Sequence, residues 1–328
     1  MTSDPLEEWY RKIVVTSWDE LQKVLAEQLP SALGRLPGRQ ERWIFRGQPK
    51  AEYLLETTLD RYFRRTYEPD ELVGPEYGSA AEWRAAGIDP ACPYRPHLLK
   101  ELDMTTTFER RFRSLATSHP IPDEKAYFEW RALIRHYGGP CRLIDFTYSF
   151  YVALFFALDE AEGDAAVWAV QPLWLDQEIH RTMPEVLRTL RSYLSGMEEK
   201  AFWKMFGGQY RFVRALEPYY LNDRLISQQG VFLCPGDVSV PFYQNLLALL
   251  IGGPQKPEIA IRREKAQTRF AKLVVSTDRK SCRHILSHLC DMNVTRAVLF
   301  PGVEGLAGSL TQTVAVRSLG ESVDQLAA

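Results

Sequence analysis

Two short segments place charged side chains beside glycines and within apolar sequence. Residues 45–48 read Phe-Arg-Gly-Gln, and residues 136–147 read His-Tyr-Gly-Gly-Pro-Cys-Arg-Leu-Ile-Asp-Phe-Thr. A charge in an apolar setting is costly unless a partner or a ligand compensates it. The pattern is therefore typical of a polar pocket inside a globular domain, and not of a solvated surface.

Arg46 is the first candidate for ligand binding. It follows residues 42–45, an apolar run that predicts a short strand. A guanidinium group can hold a carboxylate or a phosphate in two-point contact, and Gln48 adds an amide donor beside it. The alternative is a structural ion pair, for which Asp145 and Glu217 are candidate partners.

His136 and Asp145 are the candidates for proton transfer and charge stabilisation. His136 lies at the predicted end of a helix, where a charged imidazole is favoured, and imidazole exchanges protons near neutral pH. Asp145 is a carboxylate in an apolar segment and needs a partner. It can orient His136, hold Arg46, or cap the helix predicted to begin near Ser149. The structural alternative for His136 is a bond to the last carbonyls of its own helix.

Three further side chains are less specific. Tyr137 can stack against a flat ring or fill the core. Arg142 lies three residues before Asp145, and residues three apart in an extended chain point to opposite faces. Gln229 precedes a predicted strand, where its amide can contact a ribose hydroxyl or simply form a turn. An arginine, a histidine and a helix start that converge would bind a phosphate.

The elements that position these residues are short strands and helices in one α+β domain. The predicted strands are 42–45, 142–146, 165–170, 230–234, 273–276 and 297–300, and the predicted helices are 17–29, 97–117, 124–137, 149–161, 281–292 and a closing helix from 303. Gly47 and Pro49 predict a turn directly after the first strand. We expect a small mixed or antiparallel sheet surrounded by helices.

The predicted domain organisation has three parts. Residues 1–39 form an N-terminal helical segment, residues 40–315 form the main domain, and residues 316–328 form a C-terminal tail. Five of the twenty prolines predict an irregular insertion at about 68–97. A second insertion, at about 173–225, is predicted to be helical.

Composition and motifs exclude several classes of protein. The chain has 328 residues, 45% of them apolar, and a net charge of −2, so no overall basic field attracts nucleic acid or anionic membrane. Five cysteines without a C-x-x-C pair, a polar N-terminus and only short apolar stretches predict a cytoplasmic protein without a membrane partner. Neither a Walker loop nor a G-x-G-x-x-G motif is present. His284 and His288 have metal-ligand spacing, but no metal site is predicted because a third ligand is not evident.

The motifs resemble those of the FRG domain family. Residues 45–48 match its first motif, and residues 136–147 with the apolar helix 149–157 match its second. Residues 228–232 and 299–306 match the third and fourth, so that the resemblance spans roughly 40–315. Departures occur at Gly139, Cys141 and Phe146, which replace residues more usual in the family.

A more distant resemblance is to ADP-ribosyltransferases that begin with a strand-borne aromatic-Arg-Gly. In that superfamily the arginine holds a phosphate of NAD, and a later acidic residue engages the nicotinamide ribose. The resemblance implies an ADP-ribosyltransferase-like sheet and NAD as a substrate. It also implies NAD-binding residues at Arg46, Gln48, Tyr137, Arg142 and Thr147, and catalytic residues at His136, Asp145 and Gln229.

Three hypotheses about function follow. The first is an ADP-ribosyltransferase-like toxin or phage-defence effector that modifies a nucleic acid or a protein and has a cognate antitoxin or immunity partner. The second is a nucleotide- or partner-binding module without turnover, because residues 228–229 are Gln-Gln where a glutamate is expected. The third is a nuclease or nucleotide hydrolase that uses His136 and Asp145.

Overall fold

The computed structural model describes ten segments of the chain: residues 4–29, 42–67, 95–115, 121–123, 126–186, 205–208, 210–218, 222–252, 259–276 and 278–317. Most of the insertion predicted at 68–97 lies outside the described residues. The same holds for residues 187–204 of the second insertion and for the tail from residue 318.

One mixed sheet forms the centre of the fold. The strands in chain order are β1 (Arg11–Val15), β2 (Ile44–Gln48), β3 (Ile144–Thr147), β4 (Ala165–Val170), β5 (Val213–Leu216), β6 (Gly230–Pro235) and β7 (Phe270–Val275). Their order across the sheet is β1-β7-β4-β2-β3-β6-β5. The pair β1–β7 is parallel and the other neighbours are antiparallel. The predicted mixed sheet surrounded by helices is therefore confirmed.

Helices cover both faces of this sheet. In chain order they are α1 (Trp18–Gln28), α2 (Thr58–Thr66), α3 (Arg95–Leu115), α4 (Tyr127–His136), α5 (Phe150–Leu158), α6 (Pro172–Thr182), α7 (Asp223–Ser227), α8 (Phe242–Ile251), α9 (Ile259–Gln267), α10 (Arg279–Asp291), α11 (Arg296–Leu299) and α12 (Val303–Arg317). Helix α5 begins near Ser149 as predicted, and Ser149, not Asp145, caps it, since the Ser149 hydroxyl accepts a hydrogen bond from the Val152 amide at 3.4 Å.

The sheet separates two apolar layers. Successive side chains of a strand point to opposite faces, so Ile44 joins one layer and Phe45 the other. Helices α1, α5 and α10 supply the layer around Phe45. Helices α2, α3, α4, α6 and α8 supply the layer around Ile44. Because β2 lies at the centre of the sheet, Arg46 is fixed between these two layers.

Several elements differ from the sequence expectation. Residues 297–300 were predicted as a strand, but α11 occupies this place because the Thr295 hydroxyl caps the Val298 amide at 3.4 Å. Strand β5 lies within 173–225, where a helical insertion was predicted. Strand β2, predicted to end at Phe45, continues to Gln48, so the turn predicted at Gly47 is wrong.

Candidate functional site: a cationic cleft between two central strands

Strands β2 and β3 diverge after a single register pair, Phe45 with Thr147. A cleft of about 290 Å³ opens beside this point. Its walls come from both strands, from α4 and α5, and from the segments around Gln228 and Phe300. The parting of two central strands thus leaves a concave site in the middle of the domain.

Arg46 spans the gap between the two strands. Its Nη1 atom donates a hydrogen bond to the Asp145 carbonyl at 2.8 Å and lies 3.9 Å from the carboxylate Oδ2. The side chain is 15% exposed, and its buried Nε–H group has no hydrogen-bond partner among the described residues. Burial lowers the pKa of Arg46 to about 10, while Asp145 acts in the opposite direction. The guanidinium therefore stays charged at neutral pH and retains one unused donor.

Asp145 is held by a second arginine, Arg135 on α4. The Arg135 Nε atom donates to Asp145 Oδ2 at 2.7 Å, and Nη2 donates to the same oxygen. Burial raises the pKa of Asp145, but Arg135 and Arg46 outweigh burial and keep this pKa below its usual value. The carboxylate is therefore ionised at neutral pH, and it can stabilise a positive charge but cannot serve as a general acid.

Arg224 on α7 supplies a third guanidinium to the cleft. Its Nη1 atom donates to the His136 carbonyl at 3.2 Å, and its Cζ atom lies 4.5 Å from the centre of the Phe300 ring. Three arginines and one carboxylate line the cleft, so its walls carry a net charge of +2. A concave cationic surface of this kind attracts an anionic ligand.

Gly47 allows the closest packing in the site. A Cβ atom at this position would lie 2.0 Å from the Ala153 carbonyl oxygen and 2.5 Å from the Ala157 amide nitrogen. The backbone of α5 therefore rests directly on β2. The glycine serves this close approach, and the strand runs through it without a turn.

Thr147 also lines the cleft, next to Gln228. Its hydroxyl donates to the Gln228 carbonyl at 2.6 Å and accepts from the Ser149 amide at 2.9 Å. Gln228 in turn donates from Nε2 to the Leu299 carbonyl at 2.9 Å. Gln229 has a left-handed backbone with φ of 49°. The residue that lines the cleft is Gln228, and not Gln229 as predicted.

The structure does not bring the other predicted residues to the cleft walls. His136 contributes its carbonyl to Arg224, and its ring meets that of Tyr137 edge-on at 4.7 Å. Tyr137 is 50% exposed and lies beside Phe108 and Phe112 on α3. Neither residue is among those that line the cleft.

Arg142 and Gln48 are structural residues. Arg142 is fully buried and forms an ion pair with Glu101 on α3, which also binds Arg131. Gln48 donates from Nε2 to the Leu54 carbonyl at 3.1 Å and accepts from the Trp168 indole at 2.6 Å. Their hydrogen bonds are thus used within the core, and the prediction of direct ligand contact at these two positions has no geometric support.

Sequence reasoning missed several residues that line the cleft: Arg135, Phe156, Arg224, Gln228 and Phe300. Arg135 directly precedes the singled-out histidine, and a charged residue in the last turn of an otherwise apolar helix was an available signal. Arg224 lies just before the third motif and Phe300 lies within the fourth, but the two are far apart in sequence, and only the packing of α7 beside α11 brings them together.

The fold and site define a mixed α/β protein with an arginine-lined cleft between two central strands. Residues 41–165 match the family model of the FRG domain. No curated protein and no solved structure matches the chain. The match contains Arg46, Arg135 and Asp145, whereas Arg224 and Phe300 lie beyond it.

Within the described segments, no helix is long and apolar enough to cross a membrane. Nor do three or more His, Cys, Asp or Glu side chains gather as metal ligands in that part of the chain.

Proposed function

We propose that the cleft binds a phosphate-bearing nucleotide and that NAD is its ligand. The observation that carries this proposal is Arg46, which lines a cleft with a net charge of +2 and whose buried Nε–H group lacks a partner among the described residues. A buried donor without a partner is costly. A phosphate oxygen of NAD would satisfy it, and the two negative charges of the pyrophosphate would balance those of the walls.

Aromatic rings at the other side of the cleft suit the flat part of such a ligand. The rings of Phe156 and Phe300 pack edge to face with centroids 5.8 Å apart, and both residues line the cleft. Stacking against an aromatic ring contributes about 1–3 kcal/mol for each base. We therefore place the nicotinamide or the adenine ring of NAD against Phe300.

The reaction that accompanies this ligand is ADP-ribosyl transfer to a nucleic acid or a protein, as expected of a toxin or defence effector. The bond between the nicotinamide nitrogen and ribose C1′ breaks, and a nucleophile of the acceptor forms a bond to C1′ and loses a proton. Positive charge develops on the ribose in the transition state. The ionised carboxylate of Asp145 would stabilise that charge.

Binding without turnover is the second candidate function. Arg135 already occupies the Oδ2 atom of Asp145, and the sequence has glutamines at 228 and 229 where the resemblance leads one to expect an acid. The occupied carboxylate and this Gln-Gln pair both favour ligand recognition over chemistry. In this case NAD or a related nucleotide would bind and dissociate unchanged.

Calorimetric titration with NAD, followed by mass spectrometry of nicotinamide and of candidate acceptors, tests the proposal. We expect binding by the wild-type chain and at least tenfold weaker binding by Arg46→Lys, because lysine cannot make two-point contact. The control is Arg181→Lys, since Arg181 pairs with Glu178 on α6 away from the cleft. Released nicotinamide supports transfer, and binding without release supports the second candidate. Equal affinity of wild type and Arg46→Lys for NAD would refute both.

A further inference from the structure

His284 and His288 lie one helical turn apart on α10. Residues at positions i and i+4 of a helix share one face. The two Nε2 atoms are 3.3 Å apart and share a hydrogen bond, so a bound metal ion would take the place of the shared proton. His284 is exposed and His288 is half-buried, so the pair is accessible from solvent.

This separation suits two ligands of one metal ion. With metal–nitrogen bonds of about 2.1 Å, two nitrogen atoms at 3.3 Å subtend roughly 104° at the metal, which is close to a tetrahedral angle. The backbone would not need to move, because both rings project from a single rigid helix.

Trp18, the first residue of α1, fixes the orientation of one of these rings. Its indole stacks on the His288 imidazole with centroids 4.5 Å apart and an angle of 14° between the planes. This stacking limits the rotation of His288 and lowers the entropy lost when a metal binds. A ligand held in place before binding makes a tighter site.

We propose that His284 and His288 form a two-histidine site for a borderline divalent transition metal such as Zn²⁺ or Ni²⁺. Imidazole nitrogen suits these ions, whereas Mg²⁺ and Ca²⁺ prefer oxygen. In the described part of the chain no third His, Cys, Asp or Glu completes the group. The remaining coordination positions are therefore open to water, and the bound metal exchanges readily.

Titration of the full chain with NiCl₂ at pH 7.5, followed by calorimetry, tests this site. We expect one ion per chain, and at least tenfold weaker binding in His284→Gln and in His288→Gln. Two controls should bind as wild type does: His180→Gln, which alters an exposed histidine on α6, and Cys290→Ser, which removes an exposed thiol on α10. Unchanged Ni²⁺ affinity in either α10 histidine variant, or no binding by wild type at millimolar Ni²⁺, would overturn the proposal.

Tryptophan fluorescence gives a second readout that is independent of the calorimetry. Ni²⁺ bound at His288 lies next to the Trp18 indole and should quench its emission. The quenched fraction should disappear in Trp18→Phe and in His288→Gln. Saturable quenching that persists in Trp18→Phe would place the ion elsewhere and overturn the assignment.

Discussion

The Ala153 carbonyl oxygen lies against Gly47, 2.0 Å from the position that a Cβ atom would occupy on that glycine. Helix α5 and strand β2 are thereby held in backbone contact, and Phe45 and Arg46 take fixed positions at the mouth of the cleft. The glycine of the Phe-Arg-Gly motif thus acts through packing, and the arginine beside it depends on that packing for its position.

Gly47→Ala should destabilise the domain and weaken ligand binding. The new methyl group meets backbone atoms of α5, which cannot move aside as a flexible side chain can. Overpacking of this kind costs about 3 kcal/mol, measurable by urea unfolding. The matched control is Gly163→Ala, because a Cβ atom there has no neighbour within 4 Å. Equal stability of the two variants would contradict the role of Gly47 in close packing.

The motifs predict the central elements well because local patterns determine them. Apolar runs bounded by turn residues give β4 and β6 to within one residue, and the Ser149 cap gives the start of α5. Strands β1 and β5 are missed because they lie at the two edges of the sheet. Their presence depends on the neighbouring strands and not on a strong pattern of their own.

The candidate site is predictable only in part for the same reason. Arg46 and Asp145 stand out as charges in apolar sequence, and the structure joins them. Arg142 is also a charge in apolar sequence, yet its partner is Glu101 on α3. The sequence of α3 does not show that Glu101 is buried, because this depends on how the helix packs. Burial of a charge therefore marks a partner, which is Asp145 for Arg46 and Glu101 for Arg142.

Glu101→Gln should be among the most destabilising substitutions of a charged residue. Glu101 is buried between Arg131 and Arg142, and loss of its charge removes the counter-charge that it supplies to both guanidinium groups. Breaking a buried ion pair costs about 3–5 kcal/mol. Glu109→Gln on the same helix is the control, because Glu109 forms only an i,i+4 pair with Arg113. Similar unfolding free energies for the two variants would show that the buried network contributes little.

Acid should remove the contribution of Glu101. Burial raises its pKa, but Arg131 and Arg142 lower it to about 2 overall, against about 4.3 in an unfolded chain. A lowered pKa in the folded state gives stability that is present above the unfolded value and is lost as the pH falls towards 2. The difference in unfolding free energy between wild type and Glu101→Gln should shrink below pH 4. A constant difference from pH 7 to pH 3 would contradict this.

Asp60 should have the opposite pH dependence. Its Oδ2 atom accepts from the Thr57 amide at 2.7 Å and the Phe242 amide at 3.1 Å, and so caps both α2 and α8. Burial raises the pKa of Asp60 to about 6, although these hydrogen bonds oppose the rise. A raised pKa in the folded state gives stability that is present below about pH 4 and is lost as the pH rises through 6.

Asp60→Asn keeps an oxygen acceptor and removes the charge, so it isolates this effect. Between pH 4 and pH 7 the variant should gain on the order of 2 kcal/mol of unfolding free energy relative to wild type. Asp103→Asn, at an exposed position on α3, should leave the pH profile of wild type unchanged. Parallel profiles of Asp60→Asn and wild type would show that Asp60 does not titrate in this range.

Arg224→Ala tests whether the chain beyond the FRG match completes the cleft. Arg224 lies outside residues 41–165 and contributes one of the three guanidinium groups. Loss of a hydrogen bond to a charged ligand costs about 1.5–3 kcal/mol, so the Kd for NAD should rise at least tenfold. The control is Arg214→Ala on the edge strand β5. This variant removes an arginine that pairs with Asp176 on α6. Thermal unfolding of both variants separates lost binding from lost stability. If Arg224→Ala folds and binds NAD as tightly as Arg214→Ala, recognition resides within the FRG domain alone, and the second wall of the cleft is not part of the site.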